Sequence, residues 1–500
     1  MRLARIFFTV GWGGMMLAAI MCLPTLWAVL AGDLLQAGKF FVSALLAIFL
    51  SGSLILIGRG GAVTHVHKDE LFLTAVLFFT ILPLLGALPL IGTGNGVGFW
   101  AAYFEAVSGL TTTGASIYAN PEYETGAVLL WRALLGWLGG LWMLSFCIAI
   151  IAPFGIGGVG VKGVAIRQSK TENLPHRLRR ALRQIWPAYL GLTLLGIVFM
   201  WVSGAPFFEA LCLSLSAVST TGFVPDLAPI GSYLPPLSIV CLLILMLLGA
   251  VSYPLLEALF AGRFRMLKKD IEAKHFLYFI LCISLFMLFA QNTNNMGRVV
   301  DMKLGDMTLI DWGAEIAHAL TNSISLLTTT AMPIYKPHDS PLVGFSVLAI
   351  FIPVMIGGMC LSTAGGLKVL RASLFLKRIW RELKSLPFPS AIVHLQYGGR
   401  RVPREQSYAI WVFFIFFLGI LALSVIIASL FTANFNDAWL ASLAALTNAG
   451  GIAMFVGQPD LFTNLPAFGH IFFILIMVLG RLELFIVLVL FNPIYWYSHN

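Results

Sequence analysis

Five hundred residues would ordinarily make about three soluble domains of roughly 150 residues each. Here hydrophobic residues are 59% of the chain, charged residues only 11%, and mean hydropathy is +0.91; a soluble chain carries about 25% charged residues, so a water-soluble body is excluded. The net charge of +9 invites a nucleic-acid reading, which its placement argues against, because blocks of base fall between apolar runs as in the cytoplasmic loops of membrane proteins.

In chain order, runs long enough to cross a hydrocarbon core of about 30 Å cover residues 6–31, 41–59, 70–92, 126–152, 185–204, 234–260, 276–292, 341–376, 407–431 and 466–491. The first is basic and then apolar and lacks a clear small-residue cleavage site, so it reads as a retained helix. An even count of crossings puts both termini on one side. Base chooses the side: Lys162, Arg167, Lys170, Arg177, Arg179, Arg180 and Arg183 precede the fifth span, and Arg263, Arg265, Lys268, Lys269 and Lys274 follow the sixth. Lys368, Arg371, Lys377, Arg378, Arg381, Lys384, Arg400, Arg401 and Arg404 surround the link from the eighth to the ninth, and Arg2, Arg5 and Lys68 agree. The opposite loops 93–125, 205–233 and 432–465 hold no Lys or Arg, so both termini are expected in the cytoplasm. The basic loops suit anionic lipid headgroups or an acidic partner. Cys22, Cys147, Cys212, Cys241, Cys282 and Cys360 stand singly and read as small core residues rather than disulfides or metal ligands.

The outer loops carry a hidden repeat. Each holds an apolar segment of about a dozen residues, too short to span, followed by a small, hydroxyl-rich stretch: Ser108-Gly-Leu-Thr-Thr-Thr-Gly114, Ser216-Ala-Val-Ser-Thr-Thr-Gly222, Ser325-Leu-Leu-Thr-Thr-Thr-Ala331 and a fourth from Ala444 to Gly450. Aligned on Gly114, Gly222, Ala331 and Gly450, all four carry alanine twelve residues earlier (Ala102, Ala210, Ala319, Ala438) and a hydroxyl three residues earlier (Thr111, Ser219, Thr328, Thr447). Thr-Thr-Gly alone is ordinary turn chemistry, but four copies in register on one side form an internal repeat. Non-helical backbone at membrane depth is tolerated where it lines a water-filled path or is buried in protein. Four such stretches around one axis would offer rings of carbonyls that replace the hydration shell of a monovalent cation, with the negative ends of the short helices aimed at it.

The expected fold is therefore an all-α integral membrane protein with ten transmembrane helices and four re-entrant pore segments, in fourfold pseudo-symmetric helix–pore–helix repeats. Its parts are two N-terminal helices over 1–66 and pore repeats over 67–165, 166–268, 269–390 and 391–500. The eighth span is long for one crossing and holds Gly357, Gly358, Gly365 and Gly366 around Ser362 and Thr363. Close helix packing by small residues and a broken helix whose middle obstructs the path beneath the filter are both open readings. Arg481 lies inside the last span, with Glu483 two residues on; it is either half of a structural ion pair or a fixed positive charge on the path. Arg132, near the start of the fourth span, is expected at the membrane interface. Glu105, Glu122, Glu124, Glu209, Asp226, Asp301, Asp306, Asp311, Glu315, Asp339, Asp437 and Asp460 gather on the outer side and are expected to be solvated, concentrating cations at the mouth.

On the filter segments, on Trp137-Leu-Gly-Gly140, on the run from Gly357 through Met359, Cys360 and Leu361 to Arg371, and on Gly480-Arg-Leu-Glu-Leu-Phe485, the chain resembles the TrkH/KtrB/HKT superfamily of potassium-uptake proteins, most of all bacterial TrkH. The resemblance covers essentially the whole chain. It implies a K⁺-conducting pore in a bacterial inner membrane, homodimeric assembly, and a cytosolic TrkA-like nucleotide-binding regulatory subunit. The ion-lining residues it implies are Thr112, Thr113 and Gly114; Thr220, Thr221 and Gly222; Thr329, Thr330 and Ala331; and Asn448, Ala449 and Gly450. It also makes the 357–366 segment the intramembrane gate and sets Arg481 near the axis beside it. One departure is Ala331, where the family has glycine. Its methyl group disfavours left-handed backbone angles, so K⁺-over-Na⁺ discrimination is expected to be weaker and Na⁺ stays a second candidate ion.

Other function classes fit less well. Repeats that all begin and end inside favour a pore over an inverted-repeat carrier working by alternating access as an H⁺- or Na⁺-coupled symporter. A membrane-embedded interaction subunit without transport of its own is the third class. Gly155-Ile-Gly157-Gly-Val-Gly160 follows a membrane helix rather than a strand, so it is no dinucleotide site. His65 and His67 lack companion ligands for a metal. No catalytic constellation is present, so no enzyme is expected, and no cofactor beyond K⁺ as the transported ion.

Overall fold

The computed structural model describes residues 3–59, 68–94, 96–151, 174–295, 309–335, 345–387, 395–398 and 400–482. Arg2, His65, His67, the Gly155–Gly160 motif, Lys162, Arg167, Lys170, Asp301, Asp306, Asp339 and Glu483 lie outside the described residues. Two helices come first, α1 (Leu3–Leu30) and α2 (Leu34–Gly58). The tight link between them makes them antiparallel neighbours, and Asp33 caps α2 by accepting the Gln36 N–H at 3.1 Å.

Four runs of similar order follow. The first comprises α3 (Lys68–Ala87), the short α4 (Phe99–Leu110) and α5 (Gly126–Phe146). The second comprises α6 (Leu174–Val202), the short α7 (Phe207–Ser219), α8 (Pro236–Ala250) and α9 (Tyr253–Phe260). The third comprises α10 (Ile271–Asn295), α11 (Leu309–Leu327), α12 (Phe345–Ile356) and α13 (Val369–Ser385). A small antiparallel hairpin, Gln396–Tyr397 with Arg400–Arg401, leads to the fourth: α14 (Arg404–Ala428), α15 (Phe435–Thr447) and α16 (Ala467–Arg481). Among the described residues, seven helices are long and apolar enough to cross a membrane, and α7, α8 and α16 are shorter apolar helices. The chain is thus a mostly helical protein with many apolar helices.

Burial sorts the helices. The apolar window of α5 is wholly buried, whereas that of α2 is only 28% buried, so α5 runs through the middle and α2 lies at the edge. Leu45, Phe49 and Ile57 of α2 are exposed apolar side chains of the kind a lipid-facing helix presents. The cysteines are free thiols; five are buried or half-buried, but Cys22 is exposed on α1.

Two expected single spans are interrupted. The run 234–260 divides into α8 and α9 because Pro254 has no N–H to give the carbonyl of Ala250 four residues back. The run 341–376 divides into α12 and α13 around the non-helical stretch 357–368. The two breaks meet. The Ala250 carbonyl freed by Pro254 accepts the Met359 N–H at 3.0 Å, and the Gly249 carbonyl accepts Thr363 N and Oγ1 at 3.3 and 2.8 Å. Each break supplies the donors or acceptors that the other leaves open, which is how irregular backbone survives at this depth.

Candidate ion-conduction site

The four helices that precede the stretches, α4, α7 and α15 of 12 or 13 residues and α11 of 19, carry no basic residue of their own in the last turn, so no side chain of the helix itself offsets the negative C-terminal end. Each ends on the hydroxyl noted in the sequence. Thr111, Ser219 and Thr447 return their hydroxyls to the carbonyls four residues back, all at 2.8 Å, and Thr328 bonds the Ser325 carbonyl at 3.1 Å. In three of the four, that hydroxyl also shares a hydrogen bond with the threonine two residues on: Thr111 with Thr113 at 2.7 Å, Ser219 with Thr221 at 2.7 Å and Thr328 with Thr330 at 2.9 Å.

The next residue breaks the helix in the same way every time. Thr112, Thr220, Thr329 and Asn448 occupy left-handed backbone, with φ of 52°, 54°, 57° and 53°. For a β-branched residue this is an outlier, costing about 1–2 kcal/mol per residue. Three buried threonines holding it at matched positions are strain of the kind concentrated at functional sites. Gly114 and Gly222 follow with φ of 74° and 88°, and Ala331 takes φ 50° despite its methyl group. Ala331 thus keeps the left-handed backbone that its methyl group disfavours, and carries the strain of doing so.

The four stretches close into a ring. A Cβ on Gly114 would overlap the Thr221 carbonyl oxygen, and one on Gly222 would overlap that of Thr330. One on Gly451 would strike the Ala331 carbonyl, and one on Gly450 the backbone of Gly114 and Ala115. The fourth stretch, which lacks a threonine to pair with Thr447, ties itself to the first instead: Gly450 N donates to the Thr113 carbonyl at 2.5 Å and Asn448 Nδ2 to Thr113 Oγ1 at 2.9 Å. Glycines of the following helices lie where no side chain fits. A Cβ on Gly139 or Gly480 would overlap the Leu110 or Leu446 carbonyl, and one on Gly249 would sit 2.8 Å from that of Val218. This third register, spread over Trp137–Gly140, Gly249 and Gly480, is the repeat signal that sequence reading did not align.

Backbone N–H groups in the ring turn back to the short helices, as in Thr113 N to Ser108 O at 2.8 Å, Thr221 N to Ser216 O at 3.0 Å, Ala331 N to Ser325 O at 2.9 Å and Ala449 N to Ala444 O at 2.9 Å. The carbonyl oxygens of Thr220, Thr221, Gly222, Thr329, Thr330 and Ala331 receive no hydrogen bond among the described residues, although all six residues are buried. Thr112 Oγ1 and Asn448 Oδ1 are likewise buried without a hydrogen-bond partner among the described residues. Buried oxygens are ordinarily paired, so a girdle of unpaired ones suits a cation.

Gly357, Gly358, Ser362, Thr363, Gly365 and Gly366 all fall on the 357–368 stretch, which lies against this ring. Gly365 N donates to Thr329 Oγ1 at 2.7 Å and Gly366 N to the Thr447 carbonyl at 3.0 Å. Thr363 Oγ1 lies 3.2 Å from the Val218 carbonyl and 3.3 Å from Thr220 Oγ1. Arg481 is buried and lines a narrow cavity with Gly365, Gly366, Lys368, Arg371 and Asn448. The room there for water centres is about 20 Å³, enough for one or two waters.

Two sequence expectations need correction. Arg132 is not interfacial: it is 1% exposed, and its Nε donates to Glu105 Oε1 at 2.6 Å and its Nη2 to Ser116 Oγ at 2.7 Å. Glu105, expected among solvated acids, is fully buried, and its Oε2 accepts the Ile117 N–H at 2.8 Å. The reason is that α5 is central rather than peripheral, so a charge near its start still meets protein on every side. The pair grips residues 116 and 117 just past Gly114, and the Arg132 guanidinium lies 4.4 Å from the Phe223 ring centroid of the next stretch. Removing one member strands the other, at about 3–5 kcal/mol. Arg132→Met and Glu105→Gln should each lower the melting temperature of purified protein far more than Arg132→Met with Glu105→Leu combined, read by thermal denaturation in detergent. Farther out, burial raises the Glu124 carboxyl above the ordinary carboxylate range, and Arg132 partly offsets this.

Short helices held between apolar helices, ending on a closed ring of strained backbone, define a membrane transport protein. The chain belongs to the TrkH family of cation transport proteins, which matches residues 39–496. It is 28% identical over 480 residues to the Trk system potassium uptake protein TrkH of Salmonella typhimurium, covering 95% of each chain. It is 29% identical over 491 residues to TrkH of Halomonas elongata, covering 96% of this chain and 97% of that one. The crystal structure of the potassium transporter TrkH from Vibrio parahaemolyticus superposes with a TM-score of 0.85 at 26% identity, over 99% of this chain and 100% of that one. These relatives are transport proteins, and the present chain is a transport protein rather than an enzyme.

Proposed function

We propose that the protein conducts K⁺ into the cell through the ring formed by Thr112–Gly114, Thr220–Gly222, Thr329–Ala331 and Asn448–Gly450. The observation that carries this reading is the set of buried carbonyl oxygens lacking a hydrogen-bond donor in the second and third stretches. An unsatisfied buried acceptor costs about 1–3 kcal/mol; a dehydrated monovalent cation satisfies several at once. The names of the relatives, potassium-uptake proteins of the Trk system, support K⁺ as the ion, and the ion is cargo rather than a cofactor.

The rest of the reading follows from that ring. The chain makes ten crossings, counting α8–α9, α12–α13 and α16 with the seven longer spans, and four re-entrant pore segments. The repeats are 67–165, 166–268, 269–390 and 391–500, after the two helices of 1–66. The basic loops put both termini in the cytoplasm of a bacterial inner membrane. The 357–368 stretch closes the path from below, and Arg481 raises the barrier beside it. A homodimer and a cytosolic TrkA-like nucleotide-binding subunit complete the assembly, the subunit meeting the basic cytoplasmic face that includes Lys377, Arg378, Arg381 and Lys384.

Ion flux into liposomes containing the purified protein tests this reading. K⁺ and Rb⁺ should enter down an imposed potential with no proton or Na⁺ gradient, since the potential alone supplies about 2.3 kcal/mol per charge per 100 mV, and Na⁺ should enter more slowly. Uptake that requires a proton or Na⁺ gradient would replace the channel with a coupled symporter. Absence of flux in every condition, with the partner subunit added, would remove transport altogether.

A further inference from the structure

The 357–368 stretch is a strained segment. Besides its glycines, Leu361 and Lys368 both sit in left-handed backbone, with φ of 57° and 77°. Non-glycine residues persist there only when their surroundings over-determine them. On the filter side those surroundings are Gly249, Ala250, Thr329 and Thr447, already described. On the opposite side, the residue just before Leu361 is held by a carboxylate: Glu272 Oε1 accepts the Cys360 N–H at 2.7 Å. The neighbouring Leu361 carbonyl accepts the Tyr253 N–H at 3.0 Å.

Glu272 is the second residue of α10, directly after the basic segment that holds Lys268 and Lys269. The cytosolic hairpin rests on the same turn. The Tyr397 hydroxyl lies 3.4 Å from His275 Nδ1, a Cβ on Gly398 would come within 2.6 Å of Ile271 Cδ1, and Lys377 Nζ stands 4.9 Å from the Tyr397 ring centroid. The loop is therefore attached to the filter by the Gly365 and Gly366 hydrogen bonds and to the first turn of α10 by the Glu272 carboxyl group.

We propose that Glu272 is the positioning residue that latches the gate loop closed, by gripping the Cys360 amide beside the strained Leu361. This rests on the reading of 357–368 as the gate. Without the carboxylate the Cys360 N–H loses its acceptor, and the strain at Leu361 favours release of the loop.

The test uses the full-length protein in liposomes, with rubidium tracer flux and without the regulatory subunit. Glu272→Ala should raise basal flux by about two- to tenfold, the effect of losing one buried hydrogen bond. Glu272→Gln, which keeps an oxygen acceptor, should raise it less. The K⁺-to-Na⁺ ratio should not change, because the filter is untouched. In a background with the other five cysteines replaced, Cys360, buried in the closed loop, should react faster with a water-soluble maleimide in Glu272→Ala. A folded Glu272→Ala protein with unaltered flux and unaltered Cys360 labelling would overturn the latch. A parallel variant shortened within 360–366 separates the two claims. If shortening opens the pore and Glu272→Ala does not, the latch alone fails; if shortening also leaves flux unchanged, the gate fails and the latch with it.

Discussion

Gly222→Ala is expected to reduce K⁺ uptake at least tenfold and to bring K⁺ and Na⁺ permeation close to parity. Two effects add. The residue sits at φ 88°, where a Cβ costs about 1–2 kcal/mol. The added methyl would also overlap the Thr330 carbonyl oxygen, one of the oxygens assigned to the ion, so that oxygen must move. Uptake in a potassium-uptake-deficient strain, with membrane insertion checked on the same samples, reads the first effect, and ion competition in liposomes reads the second. The reciprocal change is Ala331→Gly, which removes the strained methyl from the third stretch and should sharpen K⁺-over-Na⁺ discrimination. Unaltered discrimination there would mean that the alanine, once seated at φ 50°, costs the filter nothing in selectivity.

Shortening the loop within 360–366 should raise basal flux tenfold or more. Gly365 and Gly366 are bonded directly to Thr329 and Thr447, so the proposed gate stretch lies against the ring. Arg481→Ala should act in the same direction. A fixed positive charge beside the proposed path opposes a cation by about 4 kcal/mol at roughly 4 Å, falling to about 1 kcal/mol at roughly 15 Å, at an effective dielectric constant near 20. The two changes should combine less than additively, since both line one cavity with Asn448 and share neighbours. Flux unchanged or lost in folded, correctly inserted variants would refute an obstructing loop.

What the sequence disclosed, and what it hid, follows from how each feature is encoded. The four helices before the ring and their hydroxyl ends were legible because the hydroxyl at 111, 219, 328 and 447 has a local task, bonding a carbonyl three or four residues back, and so recurs at a fixed offset, although α11, at 19 residues, is longer than the dozen expected. The left-handed residue after it was not legible. Nothing in Thr112, Thr220 or Thr329 announces a positive φ, and threonine is a poor candidate for one. The broken eighth span showed itself through its length and its glycines, whereas the break at Ala250 was hidden inside a run of uniform hydropathy and is explained only by Pro254 and by the loop amides that meet it. Arg132 and Glu105, 27 residues apart, form a pair that no periodicity links; only the central position of α5 brings them together. Asn448 departs from the threonine pattern, and the departure makes sense once its Nδ2 is seen to bridge to Thr113 Oγ1 and to the Met477 carbonyl at 3.0 Å.

Crystals of the full-length protein grown in rubidium and measured at the rubidium absorption edge give the most direct test of the filter. The account predicts anomalous density on the axis shared by Thr112–Gly114, Thr220–Gly222, Thr329–Ala331 and Asn448–Gly450, within coordination distance of the Thr221 and Thr330 carbonyl oxygens and lost in Gly222→Ala. Density confined to the outer mouth, or a ring occupied by side chains with no ion in crystals that hold rubidium elsewhere, would contradict it.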